Sequence, residues 1–174
     1  QWGARGLALE GRDYKAILRH YYTGVGFSDI GNPKVRVLLG GGLGAVKLTC
    51  AKPYTVRGSA DAVTIAANVT ATTTYVGGKY RVTAGGWSRD FGVAVTFTPS
   101  AGQLKVLTPT DAGVTGPHRG TVRVRASGGK LQMINDVGMQ GYLRGVVPHE
   151  MPAAWPAEAL KAQACAARAY AEGS

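Results

Sequence analysis

The chain has 174 residues, of which 45% are hydrophobic and 17% are charged, and its formal net charge is +10. This composition is sufficient for a buried core and excludes an intrinsically disordered chain. The sequence contains no apolar run of about 18 residues, so we expect no transmembrane segment. The chain opens on Gln1 rather than methionine. We therefore expect a fragment of a longer protein, whose secretion signal lies outside this sequence.

The positive charge favours an anionic partner, such as nucleic acid, a lipid surface or an acidic polymer of a bacterial wall. The alternative is a solvated basic surface without a partner. Basic residues are scattered, and their densest pattern is the alternating run from Thr121 to Arg125, which predicts a strand with one basic face. Since no nucleic-acid-binding motif accompanies this run, we expect no nucleic-acid partner.

Cysteine and histidine residues give no sign of a metal site. Cys50 and Cys165 lie far apart, and the three histidines, His20, His118 and His149, are scattered. We therefore predict neither a metal nor another cofactor. A disulfide between the two cysteines is compatible with a secreted protein, but their spacing does not determine it.

The first segment, residues 1–31, is predicted to be helical. A short helix over residues 4–10 is expected to end at Gly11, and Asp13 is a suitable N-cap for a second helix over residues 14–22. Thr23 and Gly24 are expected to stop it.

The middle segment, residues 32–135, is predicted to be a mostly antiparallel β region with glycine-rich turns. The pattern GGGLGA at residues 40–45 predicts a hairpin turn between two strands, and Gly77-Gly78 predicts a second hairpin. The expected strands are 34–39, 45–50, 69–76, 79–84, 92–98, 103–107, 121–126 and 131–134.

The last segment, residues 136–174, returns to helical patterns. A short helix is predicted over residues 138–146, and Pro156 is predicted to be the first residue of an alanine-rich helix that runs to about Glu172. The order of elements, helices then strands then helices, predicts an α+β fold.

Glu150 differs in its setting from the other nine acidic residues. Valines and Pro148 precede it, while Met151, Pro152 and Trp155 follow. Proline fixes its own φ and disfavours the α region for the residue before it, so this carboxyl should be held in one direction. A fixed carboxyl group among apolar neighbours suits a general acid. The alternative is an exposed loop glutamate beside a proline-rich corner.

The alanine-rich helix offers two polar faces. Steps of three and four place Lys161 and Arg168 on one stripe with Glu158, Cys165 and Glu172, whereas Gln163 and Tyr170 share another side. Either face is a candidate lining for a cleft beside Glu150. The alternative for the first stripe is that Lys161 and Arg168 pair with Glu158 and Glu172 on a solvated surface.

Two stretches resemble the SpoIID/LytB family of stage II sporulation proteins and amidase enhancers. The first is GYLRGVVPHEMPAAWPAEALKAQACAARAYA near the C-terminus, and the second is QWGARGLALEGRDYKAILRHYYTG at the start. The resemblance implies a single SpoIID-like domain over residues 1–174. It also implies a secreted or cell-envelope protein that acts on the glycan strands of peptidoglycan.

The resemblance further implies a lytic transglycosylase, with Glu150 as the acid and base that cleaves between N-acetylmuramic acid and N-acetylglucosamine. Substrate-binding roles are implied for residues that match the family signatures, namely Gln1, Trp2, Lys161, Gln163, Arg168 and Tyr170. The alternative function is a non-catalytic peptidoglycan-binding module that enhances a cell-wall amidase. Ordinary hydrolysis is a third possibility, in which water replaces the C6 hydroxyl of the substrate.

Overall fold

A computed structural model describes residues 1–108, 113 and 115–173. The chain forms two compact units. One unit consists of residues 1–35 together with the C-terminal segment from Gly138, and the other spans Arg36–Val137. In the described part of the chain, no helix has the length and apolar character needed to cross a membrane.

The first unit is built from four helices, α1 (Trp2–Leu9), α2 (Tyr14–Tyr21), α3 (Met139–Glu150) and α4 (Ala157–Glu172). The Asp13 side chain accepts a hydrogen bond from the Ala16 backbone N–H at 2.7 Å, which confirms its predicted role as the N-cap of α2. Pro156 is the N-cap of α4 rather than its first residue.

The second unit contains the strands, which pair as two antiparallel sheets. In the described part of the chain, one sheet has the order β1-β12-β11-β8-β3-β4 and the other β10-β9-β2-β5-β6-β7. The α+β class predicted from the sequence is therefore confirmed. The strands are β1 (Lys34–Leu43), β2 (Ala45–Cys50), β3 (Tyr54–Arg57), β4 (Ala62–Ile65), β5 (Ala71–Val76), β6 (Lys79–Ala84), β7 (Trp87–Phe91), β8 (Val95–Pro99), β9 (Leu104–Val106), β10 (Gly116–His118), β11 (Thr121–Ser127) and β12 (Lys130–Gly138).

The two predicted hairpins have different outcomes. Strands β5 and β6 pair with Val76 opposite Lys79, and both Gly77 and Gly78 have a positive φ, as a two-residue hairpin turn requires. The hairpin predicted at residues 40–45 is wrong, because β1 and β2 belong to different sheets. Strand β1 continues through the glycines to Leu43, and the chain then passes from one sheet to the other.

A core of aliphatic and aromatic side chains fills the β unit. Leu48, Val56, Phe97 and Val124 are fully buried in it. Tyr54 is also buried, and its hydroxyl donates a hydrogen bond to the Val69 carbonyl at 2.6 Å. Burial raises the pKa of Tyr54 to about 12, so this phenol stays protonated at neutral pH.

The helical unit has its own core, which forms around small side chains of α4. Ala159 and Ala162 are buried there with Ile17 and Leu18 of α2 and with Met151, which follows α3. Methyl side chains let a helix approach its neighbours closely, and interiors packed at this density tolerate little added volume. The close packing that the alanine-rich sequence predicts is therefore present on this face of α4.

We expect Ala159→Leu to lower the free energy of unfolding by about 1–3 kcal/mol or more, because the larger side chain has no space at a fully buried position. Ala157→Leu is the matched control, since Ala157 is exposed in the first turn of the same helix. Denaturant titration followed by circular dichroism measures both effects. Equal stability of the two variants would contradict this description of the core.

Candidate active site

Glu150 is the last residue of α3, and its side chain is exposed. The next residue, Met151, leaves the helix with an extended backbone, and its N–H donates to the Val147 carbonyl at 2.9 Å. The Met151 side chain is only 2% exposed, in the core of the helical unit. Burial of a methionine side chain contributes about 1.5–3 kcal/mol to the stability of the folded state. Glu150 is therefore anchored by the buried residue that follows it.

The prolines act differently from the sequence-based prediction. Helix α3 was expected to end near Val146 but continues through Pro148, so Val147 remains helical although a proline follows it. Met151, which precedes Pro152, does have the extended backbone that is expected before a proline, with φ −138° and ψ 135°. The direction of Glu150 is thus set by a helix end and by Met151, and the apolar neighbours do not enclose its carboxyl group.

Gln1 contacts Glu150 directly. The Gln1 side-chain amide donates a hydrogen bond to Oε2 of Glu150 at 2.6 Å. The two residues lie at opposite ends of the sequence, in the two stretches that resemble the SpoIID/LytB family. The bond therefore holds one oxygen of the Glu150 carboxyl group in place.

An aromatic cluster lies beside these two residues. The rings of Trp2 and Trp155 have centroids 4.9 Å apart, and the Arg5 guanidinium carbon lies 5.6 Å and 5.8 Å from the two centroids. The two rings are tilted by 54°. Aromatic rings at this distance attract one another, and a cation over their faces adds to the attraction. The cluster therefore ties the start of α1, next to Gln1, to the segment that follows Glu150.

A groove of about 300 Å³ begins at the hydrogen-bonded pair of Gln1 and Glu150. Gln1 and Met151 line it together with Gln163 of α4, as do Tyr21 and Tyr22 at the end of α2. The structure thus brings Gln1 and Gln163 to one groove, and Glu150 lies at its edge through its contacts with Gln1 and its neighbour Met151. Amide and phenol groups along a concave surface suit a ligand rich in hydroxyl groups.

Lys161 has a structural partner. Its ammonium group donates to Glu158 Oε1 at 2.6 Å, while Glu158 Oε2 accepts the Tyr14 backbone N–H at 2.8 Å. Glu158 therefore links the first turn of α4 to the first turn of α2, which the sequence did not predict. The pairing of Lys161 with Glu158 is the alternative that the sequence analysis left open, and a substrate-binding role for Lys161 stays a prediction.

Arg168 and Tyr170 lie on a second groove, of about 530 Å³, formed by α4 and residues 22–30. The Arg168 guanidinium donates to the Gly31 carbonyl at 3.0 Å, and Tyr170 is 75% exposed. The pairing of Arg168 with Glu172, which was the alternative to a cleft-lining role, is not seen among the described residues, and the guanidinium group contacts the backbone instead. The substrate-binding roles of Trp2, Gln163, Arg168 and Tyr170 stay predictions.

The site offers no constellation for a metal ion. Among the described residues, no three side chains of histidine, cysteine, aspartate or glutamate come together as ligands. Cys50 and Cys165 are both free thiols, and burial raises the pKa of the Cys165 thiol, so this group remains protonated and poorly nucleophilic.

Glu158 generates a prediction about stability and pH. The hydrogen bond from Lys161, followed by the one from Tyr14, holds the pKa of Glu158 below its ordinary value of 4.5. A carboxyl group whose pKa is lowered by folding stabilises the folded state above its unfolded pKa and loses that contribution as pH falls. We expect Glu158→Gln to melt at a lower temperature than the wild type at pH 7. The difference should narrow below about pH 4.5.

Thermal melting of both proteins between pH 7 and pH 3 measures this effect. A difference in melting temperature that stays constant over the whole range would contradict the assignment of the contribution to ionised Glu158.

Comparisons with known proteins identify the C-terminal segment. Residues 127–173 match the family model SpoIID, described as stage II sporulation protein. An uncharacterized protein of Brachyspira hyodysenteriae is 56% identical over 39 residues, which cover 22% of this chain and 11% of that protein. No solved structure matches. The match supports a role related to sporulation or the cell wall. That the whole chain forms one SpoIID-like domain stays a prediction.

The matched residues include Glu150 and all of α4. They supply the acid at the edge of the groove and four of its lining residues, Met151, Ala162, Gln163 and Ala166. Gln1, Trp2 and Arg5 lie outside the match and join this segment through the contacts described above. The segment from residue 127 to residue 173 therefore carries the sequence signature of the SpoIID stage II sporulation protein family.

Proposed function

We propose that the chain is a peptidoglycan lytic transglycosylase, with Glu150 as the single acid and base. The observation that carries this proposal is the hydrogen bond between Gln1 and Glu150 at the edge of a groove, where Glu150 belongs to the segment that matches SpoIID. Peptidoglycan lies outside the cytoplasm, so the protein would act in the cell envelope or as a secreted protein.

The proposed reaction needs one carboxyl group. Glu150 protonates the oxygen that links N-acetylmuramic acid to N-acetylglucosamine, and the bond from muramic C1 to that oxygen breaks. The muramic C6 hydroxyl attacks C1 and returns its proton to Glu150, which leaves a 1,6-anhydro ring. The nucleophile belongs to the substrate, so no second catalytic carboxylate is required, in contrast to glycosidases that use two.

The surroundings of Glu150 favour this role over that of a surface glutamate. Its backbone is anchored by buried Met151, one of its oxygens is fixed by Gln1, and its side chain remains accessible. A general acid must combine a fixed position with access to the leaving oxygen. The carboxyl oxygens of Glu158 are less available to a substrate. One accepts a hydrogen bond from the Tyr14 backbone N–H and the other accepts one from Lys161.

We expect Glu150→Gln to lower the rate of glycan cleavage by about 10²–10⁴-fold, since glutamine keeps the shape of the side chain but cannot donate the proton. Release of soluble fragments from purified, peptide-free glycan strands measures the rate. Glu10→Gln is the matched control, because Glu10 is an exposed glutamate that follows α1.

Full activity of the Glu150→Gln variant would exclude Glu150 as the acid. Absence of cleavage by the wild type, combined with co-sedimentation with cell walls, would favour the non-catalytic amidase enhancer instead.

A further inference from the structure

The positive charge of the chain is concentrated in the β unit. Arg36–Val137 contains 12 lysine and arginine residues but only 4 aspartates, so this unit has a formal net charge of +8, most of the +10 of the chain. The helical unit, which contains the candidate active site, is nearly balanced. Most of the net charge of the protein therefore belongs to the β unit and not to the unit that contains Glu150.

One surface of the β unit contains four arginines. In the sheet β1-β12-β11-β8-β3-β4, the side chains of Val56, Phe97, Val122 and Val124 are fully buried. Because successive side chains of a strand point to opposite faces, the residues between them lie on the outer face. We call this surface the arginine face, and it is formed by Arg36, Arg57, Arg123, Arg125, Lys130 and the threonines at positions 55, 64, 96, 98 and 121.

The strand register places these groups in rows. Thr96 of β8 lies opposite both Arg123 of β11 and Arg57 of β3, so the two arginines flank one hydroxyl group across three strands. Neighbouring strands are about 4.8 Å apart, which separates the two positions by about 10 Å. Arg125 follows Arg123 on the same face, about 7 Å along the strand. Guanidinium groups are thus spread in two directions with hydroxyl groups between them.

The arginine face has little opposing charge. Among the described residues of its strands, Asp136 is the acidic one, and it lies 3.4 Å from Arg36 and 3.2 Å from Arg123. Arg36 is nevertheless 75% exposed and Arg123 is 43% exposed. Arg57 and Arg125 are also exposed, and Arg125 donates to the neutral Gln132 side chain.

The other sheet differs in this respect. There, Arg81 makes a two-point contact with Asp90, at 2.7 Å and 2.9 Å, and Arg89 lies 3.3 Å from Asp61. Its arginines are therefore neutralised by adjacent acids, and lysines supply the remaining charge. Arginine binds phosphate with two parallel hydrogen bonds, whereas lysine acts as a point charge.

The chemistry of the arginine face selects one class of polyanion. Sheets that bind single-stranded nucleic acids present aromatic rings on which bases stack. On this sheet, Tyr54 and Phe97 point into the core, and the described outer positions of its strands carry charged, polar and aliphatic side chains but no aromatic ring. Guanidinium and hydroxyl groups without stacking partners suit a phosphodiester polymer that has no bases.

We infer that the arginine face binds a polyol-phosphate polymer of the cell wall and so holds the protein on its substrate layer. Binding is electrostatic, involves several phosphates at once and weakens with salt. Binding does not involve Glu150, and the cell-wall setting of the polymer rests on the proposed function.

The test uses the full chain and fluorescently labelled polyglycerol phosphate. Anisotropy is measured between about 0.05 and 0.3 M salt, over which the Debye length falls from about 14 Å to about 6 Å. The variant replaces Arg57, Arg123 and Arg125 with glutamine. The control replaces Lys47, Lys79 and Lys105 with glutamine, which removes the same charge from the other sheet. Circular dichroism verifies that both variants fold.

We expect the arginine variant to lose at least about tenfold in affinity at low salt and to show a shallower salt dependence, while the lysine control loses much less. Equal losses in the two variants would overturn the inference, because net charge alone would then explain binding. Absence of binding by the wild type would also overturn it. Single-stranded DNA or polyglutamate that binds as tightly as polyglycerol phosphate would overturn the choice of polymer.

Discussion

Close packing against the alanine face of α4 is the constraint on which the candidate site depends. Ala159 and Ala162 let Ile17, Leu18 and Met151 approach the helix axis, and this contact fixes the chain immediately after Glu150. Glu158 strengthens the same arrangement by joining α4 to the start of α2. The acid itself is exposed, so its position derives from buried neighbours rather than from its own burial. Such an arrangement keeps a carboxyl group both fixed and accessible.

The two units of the protein carry different physical properties. Uncharged close packing and a few directed hydrogen bonds dominate the helical unit, in which Gln1 and Gln163 line the groove near Glu150. The β unit has a separate core and most of the net charge. A glycan-cleaving site and a surface for an anionic polymer place different demands on a chain. Each of these two proposed roles is therefore assigned to residues of a different unit.

Much of the architecture could be predicted from local sequence signals. Asp13 as an N-cap, the Gly77-Gly78 turn and the end of α4 near Glu172 each depend on short-range chemistry that one segment contains. The strands β3, β4, β7 and β10 were not predicted, since each has only three to five residues and carries too few side chains for a clear alternating pattern. The hairpin turn predicted at residues 40–45 was wrong, because local glycines do not reveal that β1 and β2 belong to different sheets.

For the candidate site, the sequence singled out Glu150 but attributed the fixed direction of its side chain to the neighbouring prolines. In the structure, the burial of Met151 in the core of the helical unit holds this part of the chain.

In the proposed reaction, Glu150 is the acid and base, and the C6 hydroxyl of the muramic residue in the glycan is the nucleophile. The most direct measurement is mass spectrometry of the products formed from peptide-free glycan strands in water enriched in ¹⁸O. A lytic transglycosylase produces 1,6-anhydromuramic ends that contain no oxygen from solvent, and we expect these ends. Reducing ends that carry one solvent ¹⁸O would contradict it, because water rather than the substrate would then be the nucleophile.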